Sequence, residues 1–178
     1  RLETIEKVRQ SRAEWDALVA TVPEDAWQID AWENGWNLRD ITAHIQFYEW
    51  WTGEFIRKGD WPEVDSSLDT FDQDARNAAL YELNKDRSTA DVRSDAPRSV
   101  AGLIDALEQM TDEQYARPLL TLPNGDEWTA ESMVASGTWN HYPVNRVNGS
   151  VFVSRRGVTD FVPGISFGGN ASVGYPTI

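Results

Sequence analysis

Apolar residues in this chain recur at steps of three and four, and glycine or proline closes off the runs; a helical bundle can bury that pattern and a sheet cannot. Between Leu2 and Val22 the positions Ile5, Val8, Trp15, Leu18, Val19 and Val22 share one helix face, and Pro23 ends the run. Arg12 falls on the same stripe, where it either snorkels to water or pairs with an interior carboxylate. A second run begins at Asn37, a good N-cap, with Asp40 three residues on, where a negative charge suits the helix N-terminus. Its inner stripe reads Ile41, His44, Tyr48, Trp51 and Phe55 before Gly59 and Pro62 stop it. The stretch "DTFDQDARNAALYELNKDR" predicts a helix that exposes most of its charge. Ser88 reads as a further N-cap, and Val100, Leu103, Ile104, Leu107 and Met110 form a clear amphipathic stripe. Pro97 suits a first helical turn, so the regular part of that helix is expected from residue 97 to 110.

In "PLLTLPNGDEWTAES" the Asn124-Gly125 pair between β-capable runs predicts a small hairpin. A last helix starts near Thr129 and carries Ala130, Val134, Gly137, His141 and then Val144 or Asn145 on one face. Pro143 removes the amide that would bond the Trp139 carbonyl, so a bend is expected there. Gly137 costs ~1 kcal/mol relative to alanine in a helix interior, which suggests that open space beside His141 matters. The expected fold is all-α: a four-helix bundle with a small hairpin before the last helix and an irregular or β-like C-terminal tail. A length of 178 residues suits one domain with a genuine core. The composition changes after residue 148, where six glycines and several β-branched residues take over. A bundle domain over 1–148 and a glycine-rich extension over 149–178 follow. Runs such as "SVFVS" could add strand-like edges or reach a second subunit, and the sequence does not choose between these.

Composition narrows the chemistry. The chain has no cysteine, so a disulfide framework, a thiolate metal site and a cysteine nucleophile are all excluded. A net charge of -13 repels phosphate backbones and anionic lipid, so neither nucleic acid nor a membrane surface is expected as a partner. No apolar run approaches the ~20 residues of a membrane span, and the first ten residues alternate charge; the expected location is the cytoplasm. Nine tryptophans supply large apolar faces, most of them expected in the core.

The two histidines stand out, because "WNLRDITAHIQFYEWW" spends part of a buried stripe on an imidazole. His44 and His141 both face the bundle interior, and they are expected to meet at the lip of one cavity. Asn145 lies one turn beyond His141 on the same side. A buried neutral imidazole can act as a general base, while Asn145 orients water or substrate. Tyr48 and Tyr142 are nearby proton donors, and Trp51, Phe55 and Trp139 would give the cavity apolar walls beside Gly137.

Both histidine stretches, "WNLRDITAHIQFYEWW" and "TWNHYPVNRV", resemble the signatures of the DinB-like (YfiT-like) helical-bundle superfamily over roughly residues 1–148. The middle segment, "ARNAALYELNKDRSTADV" with "LIDALEQMTDEQY", is similar to the branch of colibactin self-resistance proteins, which are cyclopropane hydrolases. The resemblance implies a crossover connection in the bundle and a pocket where the second and last helices converge. It also implies, in many members, a divalent metal on three histidines. His44 and His141 match two of those positions and Asn145 stands at the third, so the expected cofactor is none, or a weakly held zinc or nickel ion. Glu49 and Glu54 could complete a metal site only if helical phase brought them inward, and it is expected not to. The expected function is a small-molecule hydrolase, a self-resistance protein that disarms a small hydrophobic or electrophilic molecule. The alternatives are a non-catalytic sequestering protein and a metal-dependent thiol transferase or isomerase. The resemblance also allows a homodimer, although no helix shows a long exposed apolar stripe.

Overall fold

The computed structural model describes residues 1–30, 35–70, 72–121, 125–144, 151–155 and 158–162. Four rods form the bundle. They are α1 (Leu2–Val19), α2 (Leu38–Lys58), α4 (Thr89–Gln109) and a last, interrupted rod made of α6 (Ala130–Gly137) and α7 (His141–Val144). The connection from α2 to α4 carries α3 (Gln73–Asn84), which lies against α2. A short α5 (Asp112–Ala116) and the antiparallel hairpin β1 (Pro118–Thr121) and β2 (Glu127–Thr129) lead into α6. Strands β3 (Val151–Arg155) and β4 (Val158–Val162) pair antiparallel in the tail, the strand-like option for that segment. No described helix is long and apolar enough to cross a membrane.

The helix starts follow the sequence chemistry. Asn37 and Asp40 form a reciprocal capping box, each side chain accepting from the other's backbone N–H at 3.1 Å, and Gly59 closes α2 in the left-handed region at φ +68°. Ser88 caps α4 through the Asp91 amide at 3.0 Å, so that helix begins at Thr89 and not at residue 97. Pro97 lies inside it. Both Pro97 and Arg93 are exposed, so the carbonyl that loses its partner faces water, and the cost of an interior proline is softened.

Two apolar clusters fill the bundle. One gathers Trp15, Trp27, Trp36, Ile41, Ile45 and Tyr142. The other gathers Ile5, Val8, Ile56, Leu103, Leu107 and Val134. Between them sits a polar layer. Arg12 separates Val8 from Trp15 on α1, and Glu49, which is fully buried, separates Ile45 from Ile56 on α2. Of the two options for Arg12, pairing with an interior carboxylate is the one realised: its Nη1 donates to both Glu49 oxygens at 2.6 and 2.8 Å. The expectation that Glu49 points away from the interior is therefore corrected. The stripe of α2 is wide enough to bury Glu49 because α1 and α4 pack on both flanks of that helix. Glu54, by contrast, pairs with Arg57 and Lys58 near the surface. Tryptophan serves the core less than expected. Among the described tryptophans Trp15, Trp27 and Trp36 are buried, whereas Trp50 and Trp61 are exposed.

Candidate functional site

The spacing of the last helix predicts one rod through His141, but the structure breaks it at Thr138–Asn140, ahead of Pro143. The Thr138 hydroxyl donates to the Val134 carbonyl at 2.7 Å, and the Asn140 amide reaches back five residues to the Ala135 carbonyl at 3.0 Å. That wide turn ends α6 and restarts the chain as α7, whose first amides bond the Thr138 carbonyl at 2.7 and 2.8 Å. A helix reset here re-aims the next two side chains, His141 and Tyr142, to different sides.

His141 turns toward α2. Its Nε2 lies 2.9 Å from the Nε2 of His44, and the ring centroids are 4.8 Å apart. Both residues retain 7% exposure. Tyr48 completes a three-ring corner, with its centroid 4.9 Å from His44 and 5.3 Å from His141, both edge-on. Trp36 closes another side, 5.5 Å from His44 and stacked at 6.1 Å on Tyr81 of α3. From α3, Asn77 accepts from the Tyr48 hydroxyl at 3.3 Å, and the Arg76 guanidinium is near enough to act electrostatically on the same hydroxyl. Arg76 otherwise donates to the Leu68 and Thr70 carbonyls, and it has no carboxylate partner among the described residues.

Burial sets the protonation states. It pushes His44 well below the usual imidazole value, with His141 adding to the shift, and it lowers His141 to about 4 against the opposing pull of the Gly137 carbonyl. Both rings are neutral at pH 7. Burial also raises the Tyr48 phenol, offset in part by Arg76, so that Tyr48 stays protonated. The Gly137 carbonyl favours an N–H on the side of His141 that faces it. Either Nε2 can carry the proton between the rings, and the Gly137 carbonyl favours the tautomer in which His44 donates and His141 accepts. His44 Nδ1 is left with a lone pair, buried and without a hydrogen-bond partner among the described residues.

The other expected site residues are elsewhere. Trp51 and Phe55 stack on each other at 5.6 Å and pack with Trp61, away from the histidines. Trp139 packs on the second apolar cluster, with the Lys7 ammonium 5.7 Å above its ring. These three therefore do not wall the histidine corner, because the break before α7 swings residue 139 to the α1 side. Gly137 makes room for α2 and not for a cavity: a Cβ there would sit 2.9 Å from Thr52 Oγ1. Tyr142 is fully buried and donates to Glu49. Asn145 lies outside the described residues. Sequence reading missed Trp36, Arg76, Asn77 and Tyr81; the four-residue step from Asn77 to Tyr81, flanking the buried Leu80, was the available signal.

The described donors do not fit a three-ligand metal centre. No group of three His, Cys, Asp or Glu side chains among the described residues could hold an ion. Two imidazoles on one tetrahedral zinc stand about 3.3 Å apart, wider than the 2.9 Å seen between His44 and His141. A metal-bound imidazole also ordinarily donates its other N–H to a carbonyl or carboxylate, and His44 Nδ1 has no such partner among the described residues.

Solved structures share the fold of this bundle. An uncharacterised protein from Escherichia coli UTI89 superposes with a TM-score of 0.61 at 15% identity, covering 79% of this chain and 85% of that one. The mycothiol-dependent maleylpyruvate isomerase and its histidine-to-alanine mutant superpose with TM-scores of 0.58 and 0.59, each at 15% identity and over 79% of this chain. The present chain spans only 55% and 58% of those isomerase chains. No curated protein sequence matches it. The narrower likeness to colibactin self-resistance proteins is not what these comparisons return. The model of the mycothiol maleylpyruvate isomerase N-terminal domain matches residues 8–141, and the chain therefore belongs to that family of DinB-like helical bundles.

Proposed function

We propose that this protein is an enzyme that uses a small thiol to attack an electrophilic small molecule, with His44 as general base and His141 holding it in place. The carrying observation is the 2.9 Å contact between the two Nε2 atoms, which leaves the buried lone pair of His44 Nδ1 free to take a proton. These 178 residues contain no cysteine and supply no thiol of their own, so a separate small thiol is the nucleophile of this proposal. The family match supports a thiol nucleophile over water.

The chemistry balances without further reagents. His44 Nδ1 takes the S–H proton, and the sulfur lone pair forms an S–C bond to a conjugated carbon of the electrophile. The displaced electron pair moves onto the adjacent carbonyl. As His44 becomes cationic, its bond to His141 becomes charge-assisted and strengthens. The former double bond of the adduct is now single and can rotate. Loss of the sulfur, with the proton returned to it, gives an isomer; protonation of the carbon by Tyr48 or His44 gives a stable thiol adduct. Arg76, without a carboxylate partner among the described residues, would attract an anionic group of the substrate toward Tyr48 and Asn77.

The test is thiol and substrate consumption by the purified chain with mycothiol and maleylpyruvate, extended to other thiols and unsaturated carboxylates. Turnover should require the thiol and fall by about 100-fold or more in His44→Gln. Turnover by water alone would move the assignment to a hydrolase, and binding without turnover to a sequestering protein; either result overturns the thiol reading.

A further inference from the structure

Tyr142 and His141 are neighbours in sequence, yet Tyr142 points into the polar layer between the two apolar clusters. Its hydroxyl donates to Glu49 Oε1, and its ring stacks on Trp15 at 6.2 Å. Glu49 is held from two further directions. Arg12 Nη1 donates to both of its oxygens, Ser99 donates to Oε2, and Arg12 is itself anchored by the Ala96 carbonyl at 3.1 Å and Asp16 at 2.8 Å. These residues come from α1, α2, α4 and α7, so one carboxylate ties four elements together.

Among the described residues little else fixes the short α7. It follows a broken turn, is four residues long, and contains Pro143, which cannot donate a helix bond. A side-chain anchor at its second residue therefore sets the helix orientation and, with it, the direction of the His141 ring. We propose that Glu49 is a positioning residue for His141, acting through the Tyr142 hydroxyl, and that Arg12 keeps that carboxylate in place. Glu49 touches neither imidazole; its effect is to hold the two Nε2 atoms in contact. This inference rests on the histidine pair being the working site.

The chain's two histidines make the test clean, since imidazole nitrogen NMR shows only two ring systems. The proton shared by the two Nε2 atoms should be visible in the unaltered protein at neutral pH. Tyr142→Phe keeps the aromatic packing and removes only the hydroxyl. It should abolish the shared-proton signal while the thermal unfolding transition stays cooperative, and thiol-dependent kcat should fall about 10- to 100-fold with a smaller change in KM. Ser99→Ala removes a different bond to the same carboxylate without touching α7 and should leave the signal intact. Persistence of the signal in Tyr142→Phe, or its equal loss in Ser99→Ala, would overturn the proposal. The NMR readout needs no substrate, so absence of thiol-dependent turnover in the unaltered chain would count against the proposed function alone.

Discussion

Tyr48 and Glu49, and again His141 and Tyr142, send adjacent side chains into two buried polar clusters that differ in one respect. Around Glu49 every oxygen is met: Arg12, Ser99 and Tyr142 converge on it, and Arg12 spends its remaining donors on Ala96 and Asp16. Around His44 the accounting is left open, with one ring nitrogen unpartnered among the described residues and Arg76 lacking a carboxylate there. Closed networks specify a fold, whereas a buried polar atom without a partner carries a desolvation cost that persists where function needs it. On the proposed function, this difference separates scaffold from site.

The largest expected effect breaks the closed cluster. Arg12→Met strands the fully buried Glu49 carboxylate, and removing one partner of such a pair costs about 3–5 kcal/mol. His44→Gln, in the open cluster, should change stability by less than ~1 kcal/mol. Urea unfolding of the two variants measures the contrast. Pairing Arg12→Met with Glu49→Leu should recover much of the loss, because an apolar pair leaves no charge unpaired.

Acidification acts on the open cluster in the next largest step. Both imidazoles are lowered on folding, so below the ordinary histidine value of about 6.5 the unfolded chain binds protons that the folded chain refuses. Their stabilising contribution is complete above that pH and is lost as pH falls below it, and for His141 the loss runs from about 6.5 to about 4. His141 alone accounts for roughly 3 kcal/mol across this window. Unfolding free energies measured across the window should slope downward on acidification. That component of the slope should vanish in a variant with both histidines replaced by glutamine.

The bundle was legible in the sequence because its information is local: the Asn37–Asp40 box, Gly59 and the three-four stripes each follow from residues within a turn or two of one another. The convergence of His44 and His141 was legible for the same reason, as both sit on apolar faces. The rest was not, because it depends on contacts between distant elements. Glu49 looks misplaced on a helical wheel until Arg12, 37 residues earlier, is known to face it. Arg76 and Asn77 look like surface residues of an exposed helix until α3 is laid over Tyr48. Trp139 was assigned to the wrong wall because the Thr138 break, a competition between side-chain and backbone bonds, is invisible to periodicity.

The smallest expected effect tests the seam between the two clusters. A Cβ at Gly137 would lie 2.9 Å from Thr52 Oγ1 and 3.5 Å from the Tyr48 carbonyl, so either the Thr52 side chain or α6 must give way. Overpacking of this kind costs about 1–3 kcal/mol, while alanine returns part of glycine's helix penalty of ~1 kcal/mol, less at a helix end. Gly137→Ala should therefore lose about 1 kcal/mol by urea unfolding. Because α6 carries the chain directly into His141, any shift of α6 reaches the open cluster first. The Gly137→Ala, Thr52→Ala double variant removes the colliding oxygen. Stability should then return to near the unaltered value, and a double variant no more stable than Gly137→Ala alone would show that the glycine serves something other than the close approach of these two helices.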